Sequence, residues 1–401
     1  MKNMSTTTRM FKFNELRERY RKASKKDKIK ILDELCQNFN YSRKYIIRKL
    51  RAAPIGANNI KAVRKRGPKP KYNYDKLEPI LKTIWLASDQ ACSKKMVVIV
   101  PIWLPFYEEL YGELTADIRQ QMLSVKHCTI DYILYNARAR LIGKGRCTTK
   151  PGTLLKKHIP IHDNHWNELE PGFLEADTVA HCGSSTAGNF VWTLTMTDIY
   201  SGWTELRATW NKGAGGVITQ IQDIEANLPF PIKGFDCDNG SEFLNYHLLR
   251  YFTQRDKKVQ FTRSRPYRKN DNAHVEQKNW SCVRQLLGYD RIEDPRAVPM
   301  MNALYMNEWS LLNNFFIPVM KLEKKVRIGA KIKKIYTKPI TPYQRLITSN
   351  HINIVKKTQL IRTCKTLNPF KLRQEIEKKL KQLFNFITIQ NDAKKRIYVE
   401  R

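Results

Sequence analysis

Acidic residues are scarce in this chain of 401 residues, with 37 Asp and Glu against 72 Lys and Arg and a net charge of +35. Such an imbalance destabilises a compact monomer on its own, so an anionic partner is expected, nucleic acid being the commonest. Missing as well is any C-x-x-C pair among the eight cysteines, which argues against a disulfide framework and a zinc finger. Cys147 with His162 and His165 offers too few ligands at customary zinc spacing. Reduced thiols in a cytoplasmic protein are therefore expected. Long apolar runs are lacking too. The most apolar one, Met96 to Phe106, is too short to span a bilayer and contains Pro101 and Pro105, so it reads as a buried core segment. The opening MKNMSTTTRMFKF has no secretory h-region, and neither export nor a membrane partner is expected.

What is present is globular: 42% of residues are hydrophobic and 10% aromatic, enough for at least one sizeable core and several domains. Ser24 and Asp27 are spaced as a capping box that opens a helix with Ile29, Leu32 and Leu35 or Cys36 on its inner face. Ser42 can cap a second helix, with Ile46, Ile47 and Leu50 inward and Arg43, Lys44, Arg48 and Lys49 outside. This pattern fits a DNA-binding helix-turn-helix over residues 1–60, or a small helical hairpin with a solvated basic face. Residues 61–73 are a basic linker, where Arg66, Gly67 and Pro68 resemble an AT-hook core, although Pro68 stands where such hooks carry a second Arg. Helical periodicity returns over residues 74–147, where Thr115 can cap ADIRQQML and Thr129, Asp131 and Tyr132 stand near the start of the helix after it, a second helix-turn-helix-like pair or a purely structural helical domain. A basic connector, 148–171, follows.

Residues 172–294 change period. FLEADTVAH, NFVWTLTMTDIY, WTELRATW, IKGFDCD and VQFTRS are short and rich in β-branched or aromatic residues, and read as five strands. With helices expected over 216–227, 242–253 and 273–287, they make a mixed α/β sheet. Residues 295–401 form a basic C-terminal region, partly helical; Leu372, Ile376, Leu380 and Leu383 mark an amphipathic helix that packs either internally or on another subunit.

Three acids stand out in the central stretch: Asp177 in the first strand, Asp238 at the end of the fourth, and Glu276 in the helix after the fifth. A mixed sheet can bring them together, and clustered carboxylates repel unless cations intervene. An all-oxygen set suits Mg²⁺ or Mn²⁺, and two such ions roughly 4 Å apart support in-line phosphoryl transfer. DNGSEF at Asp238, Glu276 placed 38 residues further on, and the run RSRPYRKNDNAHVEQKNW resemble the DDE transposase and retroviral integrase superfamily. Within it the chain looks most like a bacterial insertion-sequence transposase. The resemblance implies a multidomain α/β protein, an RNase H-like five-stranded sheet with flanking helices preceded by all-α helix-turn-helix domains. It further implies that Asp177, Asp238 and Glu276 are the catalytic metal ligands and that Asn279 works near DNA. The expected activity is cleavage and strand transfer at the terminal inverted repeats of a mobile element and in target DNA, by a homo-oligomer in the bacterial cytoplasm. A catalytically inactive DNA-binding regulator and a nuclease without joining activity are the other readings.

The chain departs from the family in two respects. Ala273 stands where many relatives have Gly, and the zinc-binding domain of retroviral integrases is absent. Glu175, Asp198, Asp236 and Glu242 are competing acids, while His181 and His274 read as structural groups or DNA contacts. Arg263, Arg265, Arg268, Lys269, Lys278 and Arg284 form an expected electropositive apron for phosphates. Tyr267 and Trp280 could stack on a displaced base, a core position being the favoured reading for Trp280.

Overall fold

The computed structural model of the chain describes residues 16–39, 41–51, 71–139, 169–264, 273–328 and 331–399. Two compact units emerge, Met1–Pro70 and Lys71–Arg401. Among the described residues, no helix is long and apolar enough to cross a membrane.

In the first unit, α1 (residues 16–22), α2 (Lys25–Phe39) and α3 (Arg43–Arg51) close around Ile31, Leu32, Leu35, Ile46 and Leu50. The Ser24 hydroxyl donates to Asp27 at 2.6 Å and accepts from its amide at 3.3 Å, so the expected cap forms. Ile31 takes the buried position expected for Ile29, which is 48% exposed. Lys44, Arg48 and Lys49 lie on the exposed face of α3, and Arg43 pairs with Asp33.

The second unit begins with α4 (Tyr74–Ala87), α5 (Ser93–Tyr111), α6 (Ala116–Ser124), α7 (His127–Ile133) and α8 (Tyr135–Ala139). The apolar run expected to be buried is the middle of α5, a helix that retains Pro101 and Pro105 inside it. Asp131 accepts from Ser93 at 2.8 Å and pairs with Arg138.

All five expected strands form: β1 (Phe173–Ala180), β2 (Val191–Asp198), β3 (Thr204–Trp210), β4 (Gly234–Cys237) and β5 (Gln260–Arg263). Their order is β3-β2-β1-β4-β5, antiparallel among the first three and parallel from β1 to β5. Helices α9 (Ala214–Asn227) and α10 (Tyr246–Thr253) supply the crossovers that parallel neighbours need. Phe235 packs with Phe243, Phe252 and Phe261, so the face bearing Leu174, Ala176 and Phe235 is the apolar one toward α10. Alternation then turns Glu175 and Asp177 to the opposite face. That face is crossed by α11, a continuous rod over 273–287 with a π-helical turn at Asn279–Arg284.

A second rod, α12 over 297–316, has its own π-helical turn at Tyr305–Trp309 and packs on β3. The basic stretch after it is an antiparallel ribbon, β6 (Leu322–Ile328) with β7 (Lys331–Tyr336). Then follow α13 (Pro342–Thr348), α14 (Ile354–Thr366) and α15 (Pro369–Val399). Ile376 and Leu383 of α15 are buried in the same core as α4, α5 and the sheet, so the amphipathic tail packs internally.

Candidate active site

Parallel pairing of β1 with β4 runs from Phe173 opposite Gly234 to Ala176 opposite Cys237. Asp177 is the next residue of β1, and Asp238 directly follows the last residue of β4. One step earlier in the same register, Glu175 stands beside Asp236. Sheet pairing thus lines up two rows of acids along one face.

Hydrogen bonds fix each carboxylate differently. Asp177 accepts from the Thr178 amide at 2.7 Å through one oxygen and from Asn279 Nδ2 at 2.6 Å through the other. Asp238 accepts from the Gly240 amide at 2.9 Å. Burial, reinforced by the charge of Glu242, pushes Asp238 up to about 6 against the Gly240 amide and Lys212. Glu242 is fully buried, its Oε1 accepting from Lys212 Nζ at 2.6 Å and Thr178 Oγ1 at 2.9 Å, while its Oε2 has no partner among the described residues. The Cys237 thiol is likewise held protonated, by burial and then by Asp236, Asp238, Glu242 and Asp177. A Cβ at position 240 would stand 2.4 Å from the Glu242 carboxylate, so any larger residue there must displace that side chain.

Two bonds seat α11 over these acids. The Val275 amide donates to buried Glu175 at 3.0 Å, and Asn279 reaches Asp177. Residue 276 lies on the helix between those anchors; the side chains of Glu276 and His274 are outside the described residues. Among the described residues no three His, Cys, Asp or Glu converge as a metal site.

Other acids have structural tasks. Asp198 accepts from Gly172 and Ser201 and caps a buried turn, and Asp236 accepts from Thr262 at 2.7 Å. The Glu242–Lys212 pair carries more of the site's electrostatics than its sequence context indicates; only Lys212 following β3 and Glu242 following DNG hint at it.

Apron residues divide sharply. Arg263 is 7% exposed and donates to Asn239 at 3.1 Å, and Arg284 donates to the Ala180 carbonyl at 2.9 Å with its guanidinium over Tyr289. Lys278 is also buried, lining a cavity, with desolvation holding its ammonium pKa down to about 8. As placed, these three are not a solvent-facing apron, because packing of α11 and β5 takes up their side chains. Arg66, Arg265, Tyr267, Arg268 and Lys269 lie outside the described residues. Trp280, expected in the core, is 53% exposed on α11 because the π-helical turn there directs Cys282 and Val283 inward.

His181 is a core residue, its Nε2 within 2.8 Å of the Thr193 hydroxyl, which in turn meets Tyr305. Burial first, then Arg284, lowers its pKa from 6.5 to about 3. The unfolded chain takes up this proton near pH 6.5 and the folded one does not, so stability falls as pH drops from 6.5 toward 3. At about 1.4 kcal/mol per unit, roughly 2 kcal/mol should be lost between pH 7 and pH 5. Urea unfolding of wild type and His181→Asn at both pH values checks this: the variant should lack that increment, and equal losses would refute it.

The uncharacterized protein y4rM of Sinorhizobium fredii is 37% identical over 350 residues, covering 86% of this chain and 96% of that protein. The chain belongs to the y4rM family. No family model matches the sequence. Among solved structures, the HTLV-2 integrase catalytic core domain in complex with magnesium aligns over 38% of this chain and 92% of that one, at 15% identity and a TM-score of 0.28. A chain of the simian T-cell lymphotropic virus intasome in complex with PP2A regulatory subunit B56 gamma aligns over 45% and 58%, at 15% identity and a TM-score of 0.25. Alignments this loose carry no functional argument.

Proposed function

We propose that this y4rM-family protein is a DNA transposase that binds the ends of its mobile element and performs metal-dependent cleavage and strand transfer. The observation that carries the reading is the placement of Asp177 on β1 and of Asp238 directly after the last residue of the neighbouring parallel strand β4, under a helix that bears Glu276 and is tied to Asp177 through Asn279. The residues fit a hard divalent cation: the donors are carboxylate oxygens, and burial, with the charge of Glu242 beside it, already raises the Asp238 pKa. Asp177, Asp238 and Glu276 would hold two Mg²⁺ or Mn²⁺ ions. When bound, these supply Lewis-acid activation of a water or a DNA 3′-hydroxyl and stabilise the departing oxygen.

The chain's own residues perform the positioning. Asn279 orients the Asp177 carboxylate, the Gly240 amide orients Asp238, and Lys212 compensates Glu242 behind them. Duplex DNA would be engaged by α2 and α3 as a helix-turn-helix, through Lys44, Arg48 and Lys49, with two copies of the chain joining two element ends. The test is strand transfer in Mg²⁺ on DNA carrying the repeats that flank the gene. Joined products support the reading; binding without cutting would mark a regulator, and cutting without joining a nuclease.

The ribbon β6–β7 is a second DNA-facing element that periodicity alone did not disclose. Lys324, Arg327, Lys333 and Lys334 are exposed on it, beside Ile328 at 60% and Tyr336 at 47% exposure. A two-stranded ribbon is marginal alone in water and fits a DNA groove. Replacing the four basic residues by glutamine should reduce the magnitude of the log K against log salt slope by roughly 3 to 4, at about 0.9 per phosphate contact. A filter-binding titration in salt with an unchanged slope would remove the ribbon from the interface.

A further inference from the structure

Behind α11 lies a cavity of about 270 Å³, enclosed by the 88–92 turn, the start of α5, the Gln277–Gln285 side of α11 and the end of α12. Two ammonium groups line it. Lys278 is only 7% exposed, and Lys95, in the first turn of α5, is half-buried. Neither has a carboxylate or other hydrogen-bond partner among the described residues. Asp89, the acid in the lining, is committed to Arg373. Cys92, at the N-cap of the 19-residue α5, also lines the cavity and supplies no side-chain bond to the helix, so the positive end of that helix faces the same space. Gln90, Gln277 and Gln285 are exposed at the rim, leaving a way in from solvent.

Unpaired buried cations are costly, and two of them near each other repel as well. A helix N-terminus alone would not define a ligand, but a nine-tenths-buried, unpartnered lysine turned into the same cavity does. We propose that this cavity is a binding site for a small phosphate-bearing anion, inorganic phosphate or the phosphate of a mononucleotide. Helix N-termini and lysine point charges are the usual phosphate donors. The volume accommodates a phosphate with one modest substituent and falls just below the range of ordinary small-ligand pockets, about 300–1,000 Å³, which excludes a nucleic-acid duplex. This site is separate from the carboxylate face and does not depend on the transposase reading.

The full chain should be melted in rising inorganic phosphate and, in parallel, in rising adenosine 5′-monophosphate, each against sodium chloride of equal ionic strength. Wild type should show a saturable rise in Tm with at least one of the two, beyond the chloride control. The anion giving half-saturation at lower concentration identifies the source. Lys278→Met and Lys95→Gln should each weaken the response at least tenfold, and neither should melt below wild type in anion-free buffer, because a like charge has been removed. Surface binding by so basic a chain would respond equally in wild type and variants, and that result overturns the site. So does the absence of any response beyond chloride. If Lys278→Met fails to fold, Lys95→Gln alone decides: a retained response overturns the proposal and a lost one supports it.

Discussion

Replacing Asp238 by asparagine is expected to lower Mg²⁺-dependent strand transfer by roughly 10³-fold, since Lewis-acid stabilisation is worth several kcal/mol and each 1.4 kcal/mol is a factor of ten. Folding should be no weaker. Asparagine keeps an oxygen for the Gly240 amide, and removing the charge relieves the repulsion from Glu242 that helps push Asp238 up. Asp177→Asn should abolish joining to the same degree, with one difference: Asn279 donates to Asp177, so an amide at 177 must keep its own oxygen toward Asn279. Glu276→Gln completes the set. DNA binding measured beside strand transfer separates a lost site from a lost fold. Wild-type joining rates in all three variants would place the chemistry elsewhere on the chain.

Trp103→Ala is expected to destabilise residues 71–401 as a whole by about 3–5 kcal/mol, the usual range for deleting a buried aromatic. Trp103 is fully buried on α5, its ring centroid 5.1 Å from that of Phe370 on α15 and 6.4 Å from that of Phe316 on α12, and its indole N–H donates to the Phe316 carbonyl at 3.3 Å. The substitution therefore removes packing at a point where three helices distant in sequence meet, and it strands an acceptor. In urea the variant should lose helix and sheet signals in a single transition with a lowered midpoint. A loss below about 1 kcal/mol, or a sheet that survives after the helices melt, would show that the shared core is not energetically shared.

Much of the sheet was legible because its strands are dense in β-branched and aromatic residues, and because the acids at 177 and 238 interrupt such runs. Their adjacency follows from parallel register, which strand composition does not specify. The ribbon is hidden for a different reason: in LEKKVRI and KIKKIY the strand formers Val326, Ile328, Ile332, Ile335 and Tyr336 are set among lysines, so the segment reads first as a basic stretch. The fate of the apron shows a further limit. Lys278 reads as a surface residue by type, yet α11 rests on the sheet through Val275 and Asn279, and that seat turns Lys278 into the cavity. Likewise the heptad-like spacing in α15 announces one apolar face without naming its partner; α4, α5 and the 297–316 rod supply it. Asp198 and Glu242 are alike as acids in the sequence, and only their bonds distinguish a turn cap from a neighbour of Asp238.

The π-helical turn at Asn279–Arg284 has a bearing on how this helix can vary. A π turn holds one residue more than an α turn, and one residue of an α-helix is about 100° of rotation. Loss of a single residue within 279–284 would restore an ordinary helix and leave the downstream portion, with Arg284 and Leu287, facing as it does now, because the wide turn absorbs the extra residue; the same length wound wholly as α-helix would turn that portion by this angle. The rod therefore holds its surplus residue at the junction between a half committed to the carboxylates and a half committed to the core, and the wide turn keeps both halves seated at once.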